Sequence, residues 1–140
     1  MTNSNINVIF ERSYILEAKK RMKVIHFEIP AKNPQSLIKF YTNIFGWNFS
    51  QWKDVGFWVA LTGSPSEFGI DGGIIDINEI DMPLTNVIEV DNIDKVLEKI
   101  VEKGGVITIP KFLVEGAGYL AYFKDLDNNL FGLRQIDPNL

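Results

Sequence analysis

Slid along itself by 59 positions, the sequence brings Asn33 onto Asn92, Leu37 onto Val96, Tyr41 onto Ile100, Gly46 onto Gly105 and Gly73 onto Gly132. The asparagines are candidate helix caps, and the next two pairs are apolar positions one helical turn apart. The first glycine pair marks a helix stop, and the second lies in a closing strand. Chance aligns one such feature; one shift that aligns a helix start, a helix stop and a strand glycine indicates an internal duplication. Whatever the first half builds, the second must build again, and the two must share one core.

The first half reads as β-α-β-β-β. "KVIHFEI" is rich in β-branched and aromatic residues, as strands are. In "AKNPQSLIKFYTNIFGW", Asn33 can cap a helix and Pro34 suits its first position. Leu37, Phe40, Tyr41, Ile44 and Phe45 recur at helical spacing, and Gly46 ends the run. "WNFSQW", "GFWVALTG" and "GIDGGIIDI" read as three more strands. The second half repeats the order, with "TNVIEV", a helix in "DNIDKVLEKIVEKGG" capped by Asp91 or Asn92, then "VITIPKF", "GYLAYFKD" and "NLFGLRQ". The fold expected is α+β, with repeats over about 22–78 and 84–137 of a domain spanning 22–140. Each helix covers one sheet face, so the uncovered faces of a curved mixed sheet enclose a concave cleft.

Composition narrows the function classes. The 140 residues are 46% hydrophobic and 23% charged, which suits one globular domain. Residues 1–21 lack the apolar core of a secretory signal and are expected to form a poorly ordered leader. No apolar run approaches the roughly 20 residues of a membrane-crossing helix. The absence of cysteine removes disulfides, thiolate nucleophiles and cysteine zinc sites, and a cytoplasmic location is the expectation. Net charge is −4; Arg12, Lys19, Lys20 and Arg21 outweigh Glu11 and Glu17 by +2, leaving −6 for residues 22–140. With no basic stripe, nucleic-acid binding is not expected, and a cationic or neutral small ligand suits the charge better.

His26 is the chain's single histidine. Strand alternation puts His26 and Glu28 on one face, and Ile25, Phe27 and Ile29 on the other. The apolar set belongs under the helix, so His26 and Glu28 face the cleft. The second half adds Thr85, Val87 and Glu89 from its first strand, with Gly132 and Arg134 from its last. His26 can serve as a general base, as a hydrogen-bond partner for a ligand, or as an ordinary strand histidine held by a neighbour. Glu28 and Arg134 can pair across the cleft. Trp47, Trp52, Phe57, Trp58, Tyr119 and Tyr122 form an aromatic reserve. Trp58 and Tyr119 are expected to contact a ligand with Thr85, Glu89 and Arg134, although "GFWVALTG" and "GYLAYF" are apolar on both faces. "DLDNNL" has Leu130 and Ile136 where a calcium loop needs Gly and Glu, and reads as a hairpin turn. "GIDGG" lacks the lysine and following helix of a phosphate loop. No serine can be paired with the histidine as a nucleophile.

The paired βαβββ pattern, the strand around His26, "FYTNIFGW", "EVDNIDKVLEKIVEKGG" and "YFKDLDNNLFGL" together resemble the glyoxalase/bleomycin-resistance/extradiol-dioxygenase (vicinal oxygen chelate) superfamily. The resemblance covers about residues 22 to 137. It implies a U-shaped cleft and a homodimer. It also implies metal ligands on the first and last strand of each half, which fall here on His26, Gly73, Thr85 and Gly132. Only His26 among these is a competent ligand, so no metal cofactor is expected. A rearranged site of His26, Glu28 and Glu89 is the alternative. The function implied is metal-free binding of a small apolar or aromatic molecule. The competing reading is a glyoxalase-type lyase or isomerase, with His26 as base and Glu28 as its orienting partner or acid.

Overall fold

A computed structural model describes residues 22–78 and 81–137; the expected leader, 1–21, lies outside the described residues. Eight strands form one mixed sheet: β1 (Lys23–Ala31), β2 (Asn48–Gln51), β3 (Phe57–Leu61), β4 (Asp71–Asp76), β5 (Thr85–Glu89), β6 (Val106–Val114), β7 (Gly118–Lys124) and β8 (Leu130–Gln135). Helix α1 (Pro34–Phe45) follows β1, and α2 (Ile93–Glu102) follows β5. The spatial order is β2-β3-β4-β1-β5-β8-β7-β6, so each half contributes four neighbouring strands. This is the α+β architecture expected from the repeat.

The register carries the duplication. β1 and β5 run antiparallel at the centre, and Phe27 pairs with Asn86, its own counterpart at the 59-residue shift. Glu28 pairs with Gly73 in the parallel β1–β4 contact, and Val87 with Gly132 in β5–β8, again related by that shift. The two halves therefore join within one chain. The outer hairpins depart from the repeat. Val59 faces Gly73 in the first half, whereas Tyr122, not Gly118, faces Gly132 in the second. The second hairpin has slid four residues along its neighbour.

Both helix starts form as their residues dictate. Asn33 and Asn92 adopt extended backbone, and each side chain accepts an amide hydrogen bond of 3.1 Å, from Ser36 and Lys95. Gly46 ends α1 at φ 71°, a left-handed conformation that favours glycine. α2 stops earlier than its alignment with Gly105 implies, with Lys103 at its C-cap and Gly104 at φ 97°.

The core is layered. Under α1, Leu37, Ile38 and Tyr41 pack on Ile29, Ala31 and Ile74. Under α2, Val96, Leu97 and Ile100 pack on Val90, Ile93, Ala121 and Leu133. A third cluster joins the halves on the opposite side of the sheet, with Ile75, Met82 and Tyr122 buried against Phe57, Ile109, Phe112 and Leu130. β6 carries Pro110 and irregular pairing, as an edge strand tolerates. No described helix is long and apolar enough to cross a membrane.

Candidate functional site

A cavity of about 670 Å³ occupies the helix-free side of the sheet, with walls from both halves. That size suits a small organic molecule. Two turns lie at its mouth. Lys53, in the β2–β3 turn, donates from Nζ to the Glu115 carbonyl at 3.2 Å, and both turns contribute lining residues, including Trp52 and Gly116.

β1 supplies the polar centre. His26 and Glu28 both line the cavity, two residues apart on the same strand face. His26 Nε2 stands 3.7 Å from Glu28 Oε2. The other oxygen, Oε1, accepts a 2.6 Å hydrogen bond from the Tyr122 hydroxyl. Glu28 is 4% exposed and Tyr122 2% exposed, so this contact is closed to solvent. The Tyr122 phenol is held far above its ordinary pKa, first by burial and then by the Glu28 carboxylate and the hydrogen bond it donates there. It stays a neutral donor across the working pH range. Glu28 is thus fixed on one oxygen and turned toward the imidazole with the other. Such a pair can orient an imidazole as a proton acceptor, and its spacing can tighten once a ligand is bound.

Of the residues assigned to the site from sequence, His26, Glu28, Glu89 and Arg134 come together in the cavity wall. Trp58, Thr85 and Tyr119 do not. Trp58 packs in the cluster under α1, and Tyr119 in the cluster under α2 with Lys111 Nζ 5.0 Å from its ring centroid. Thr85 is 1% exposed, and its hydroxyl donates to the Pro83 carbonyl at 2.7 Å. From the aromatic reserve the cavity takes Trp52, Phe57 and Tyr122 instead, joined by Phe112. Ile25, expected beneath the helix, also lines the cavity; the β1–β5 register shifts between Val24 and His26, which breaks strict alternation at that point. Among the described residues no ion pair joins Glu28 to Arg134, because Glu28 is engaged by Tyr122 and lies beside His26.

The four positions implied as metal ligands can be tested on the geometry. A side chain at Gly73 would collide with the Phe57 ring, and a Cβ at Gly132 would lie 2.9 Å from both the Tyr122 ring and Val87 Cγ2. Aromatic rings thus occupy the space that ligands on the two closing strands would need. With the Thr85 hydroxyl spent on Pro83, His26 stands alone in that set. Among the described residues no three His, Cys, Asp or Glu side chains gather to hold an ion, so Glu89 does not join His26 and Glu28 in a rearranged site. This donor set does not fit a divalent metal, and the chemistry available is that of His26, Glu28, Tyr122 and Arg134.

A sequence profile of the Glyoxalase/Bleomycin resistance protein/Dioxygenase superfamily matches residues 23–133. No curated protein matches the chain. Solved structures with this fold include a glyoxalase/bleomycin resistance protein/dioxygenase superfamily member from Vibrio splendidus 12B01, at TM-score 0.60 and 15% identity over 83% of this chain and 100% of that one. A methylmalonyl-CoA epimerase from Mycobacterium tuberculosis aligns at TM-score 0.59 and 13% identity, covering 83% of this chain and 89% of the other. A protein described as an NAD-dependent benzaldehyde dehydrogenase from Legionella pneumophila gives TM-score 0.61 and 17% identity over 80% of this chain and 98% of that one. Identities this low show a shared fold alone.

Proposed function

The chain belongs to the Glyoxalase/Bleomycin resistance protein/Dioxygenase superfamily, and from that premise we propose that it binds a small, largely apolar or aromatic molecule in its cavity without a metal ion. One observation carries this reading: the rings of Phe57 and Tyr122 lie over Gly73 and Gly132, in a cavity whose apolar lining includes Trp52, Val59, Ile75 and Phe112. Apolar walls with a few convergent polar groups are how small-molecule sites combine affinity with orientation. Both halves of the cleft come from one chain, so the homodimer implied by the resemblance is proposed as an assembly of two complete clefts.

The test is elemental analysis of the purified protein, followed by thermal unfolding against a panel of neutral and charged aromatic compounds. The expected result is divalent metal well below one equivalent and a raised midpoint with at least one aromatic class. Stoichiometric zinc, nickel, manganese or iron that disappears in His26→Ala would sink the metal-free reading.

A second reading has its own support in the approach of His26 to Glu28 and the anchoring of Glu28 by Tyr122. On this reading the ligand is a substrate from which His26 removes a proton, as a lyase or isomerase requires. Deuterium exchange from solvent into a bound carbonyl compound, absent in His26→Ala, is the expected signature. A ligand that binds with no exchange leaves binding as the function.

A further inference from the structure

Among the described residues, one cation in the cavity wall lacks a counter-ion. Of those residues Arg134 is the only lysine or arginine in the lining, and its Nε is buried with no hydrogen-bond partner there. Among the described residues its guanidinium makes no ion pair, although Glu89 is its register neighbour across β5 and β8 and lines the same cavity. Buried donors in folded proteins are nearly all paired, and a guanidinium cannot shed its charge to escape the requirement.

The carboxylates that share the cavity are differently placed. Glu28 accepts from Tyr122, and Asp71 accepts from the Thr62 amide at 2.9 Å and from its hydroxyl at 3.2 Å. Glu89 has no oxygen among the buried unpartnered atoms, so water can satisfy it, as it can the Arg134 Nη atoms; among the described residues Arg134 Nε alone is shut off from both water and protein. The one buried hydrogen-bonding atom left unmet in this wall is therefore a donor, so an acceptor is called for at Arg134 although net charge alone suggested a cationic ligand.

Resting on the reading of the cavity as a ligand site, we propose that the ligand carries a carboxylate, held by the Arg134 guanidinium, at the end of an apolar or aromatic body. A planar carboxylate matches the fork of guanidinium donors, and a charge-assisted pair is stronger in an apolar wall than in water. Arg134 on β8 and His26 on β1 are separated by β5, a lateral distance of roughly 10 Å at the backbone. An anionic end on Arg134 thus leaves the rest of the molecule to run across β5 toward His26 and Glu28. The anion end fixes direction, and the aromatic walls take the body.

Three compounds of one shape provide the test: 4-phenylbutanoate, 4-phenylbutanamide and 4-phenylbutylamine, each titrated by calorimetry into the full chain. The expected order is the carboxylate tighter than the amide by about ten-fold or more, with the amine weakest. The carboxylate should also shift the Arg134 Nε–Hε resonance in the unmutated protein, a readout that no folding defect can imitate. In Arg134→Gln the carboxylate should lose about ten-fold in affinity and the amide little. Equal binding of acid and amide, or a preference for the amine, overturns this proposal while leaving the cavity as a binding site. Binding of none of the three at millimolar concentration counts against the binding site itself.

Discussion

The Tyr122 hydroxyl donates to Glu28 Oε1 across 2.6 Å, tying β7 of the second half to β1 of the first through two side chains 94 positions apart. The bond crosses the seam between the repeats, where neither half alone could form it. It also fixes the carboxylate that faces His26.

Removing the hydroxyl tests how much that seam contributes. Tyr122→Phe keeps the ring over Gly132 but leaves a buried acceptor without its donor. A loss of about 1–3 kcal/mol is expected. Urea unfolding of both proteins checks it, and a change below a few tenths would mean that Glu28 finds water instead.

Alkaline pH should expose the burial of the Tyr122 phenol and, behind it, its contact with Glu28. The folded-state pKa of Tyr122 is raised above its ordinary value of 10.0, so its contribution is fully present below pH 10 and is lost as pH rises further. Above that point the unfolded phenol ionises while the folded one stays neutral, a slope of about 1.4 kcal/mol per pH unit from this group. Urea midpoints between pH 9 and 11.5 should fall more steeply in the parent than in Tyr122→Phe. Parallel curves would refute the assignment.

Gly132 is required by close approach. A Cβ there would lie 2.9 Å from the Tyr122 ring and from Val87 Cγ2, and Val87 is wholly buried. Gly132→Ala should destabilise by about 1–3 kcal/mol through overpacking. Combining it with Val87→Ala should recover part of that loss, because the two changes share one volume. Strict additivity in the double mutant would argue against the contact.

The paired caps make a further comparison. Asn33→Ala and Asn92→Ala should each cost about 0.5–2 kcal/mol. The second should cost less, since Gln135 Oε1 still accepts from the Ile93 amide at 2.8 Å and holds the first turn of α2 to β8. Denaturant midpoints of the two single variants and the double variant decide it.

Part of the cavity lining was legible in the sequence. His26 and Glu28 follow from alternation in a strand whose other face is apolar, Glu89 lies on β5 beside β1, and Arg134 lies on β8 one strand further. Trp58 and Phe57, like Tyr119 and Tyr122, could not be sorted that way. β3 and β7 are apolar on both faces, so a two-residue period carries no contrast to say which ring faces the cavity. Thr85 sits on the correct strand, but its hydroxyl turns back to Pro83. That Arg134 Nε finds no partner among the described residues had no sequence signal, because it depends on what surrounds the guanidinium in space.

By itself the sequence determined the duplicated frame of two capped helices and eight strands. Those features rest on local backbone chemistry and on periodicity, which a linear chain records directly. Tertiary structure alone decided that Tyr122 would roof Gly132 and reach Glu28. The second hairpin slides by four residues, an even number, so every side chain keeps its face and the pattern along the chain is unchanged. Only the packing of one half against the other could select that register.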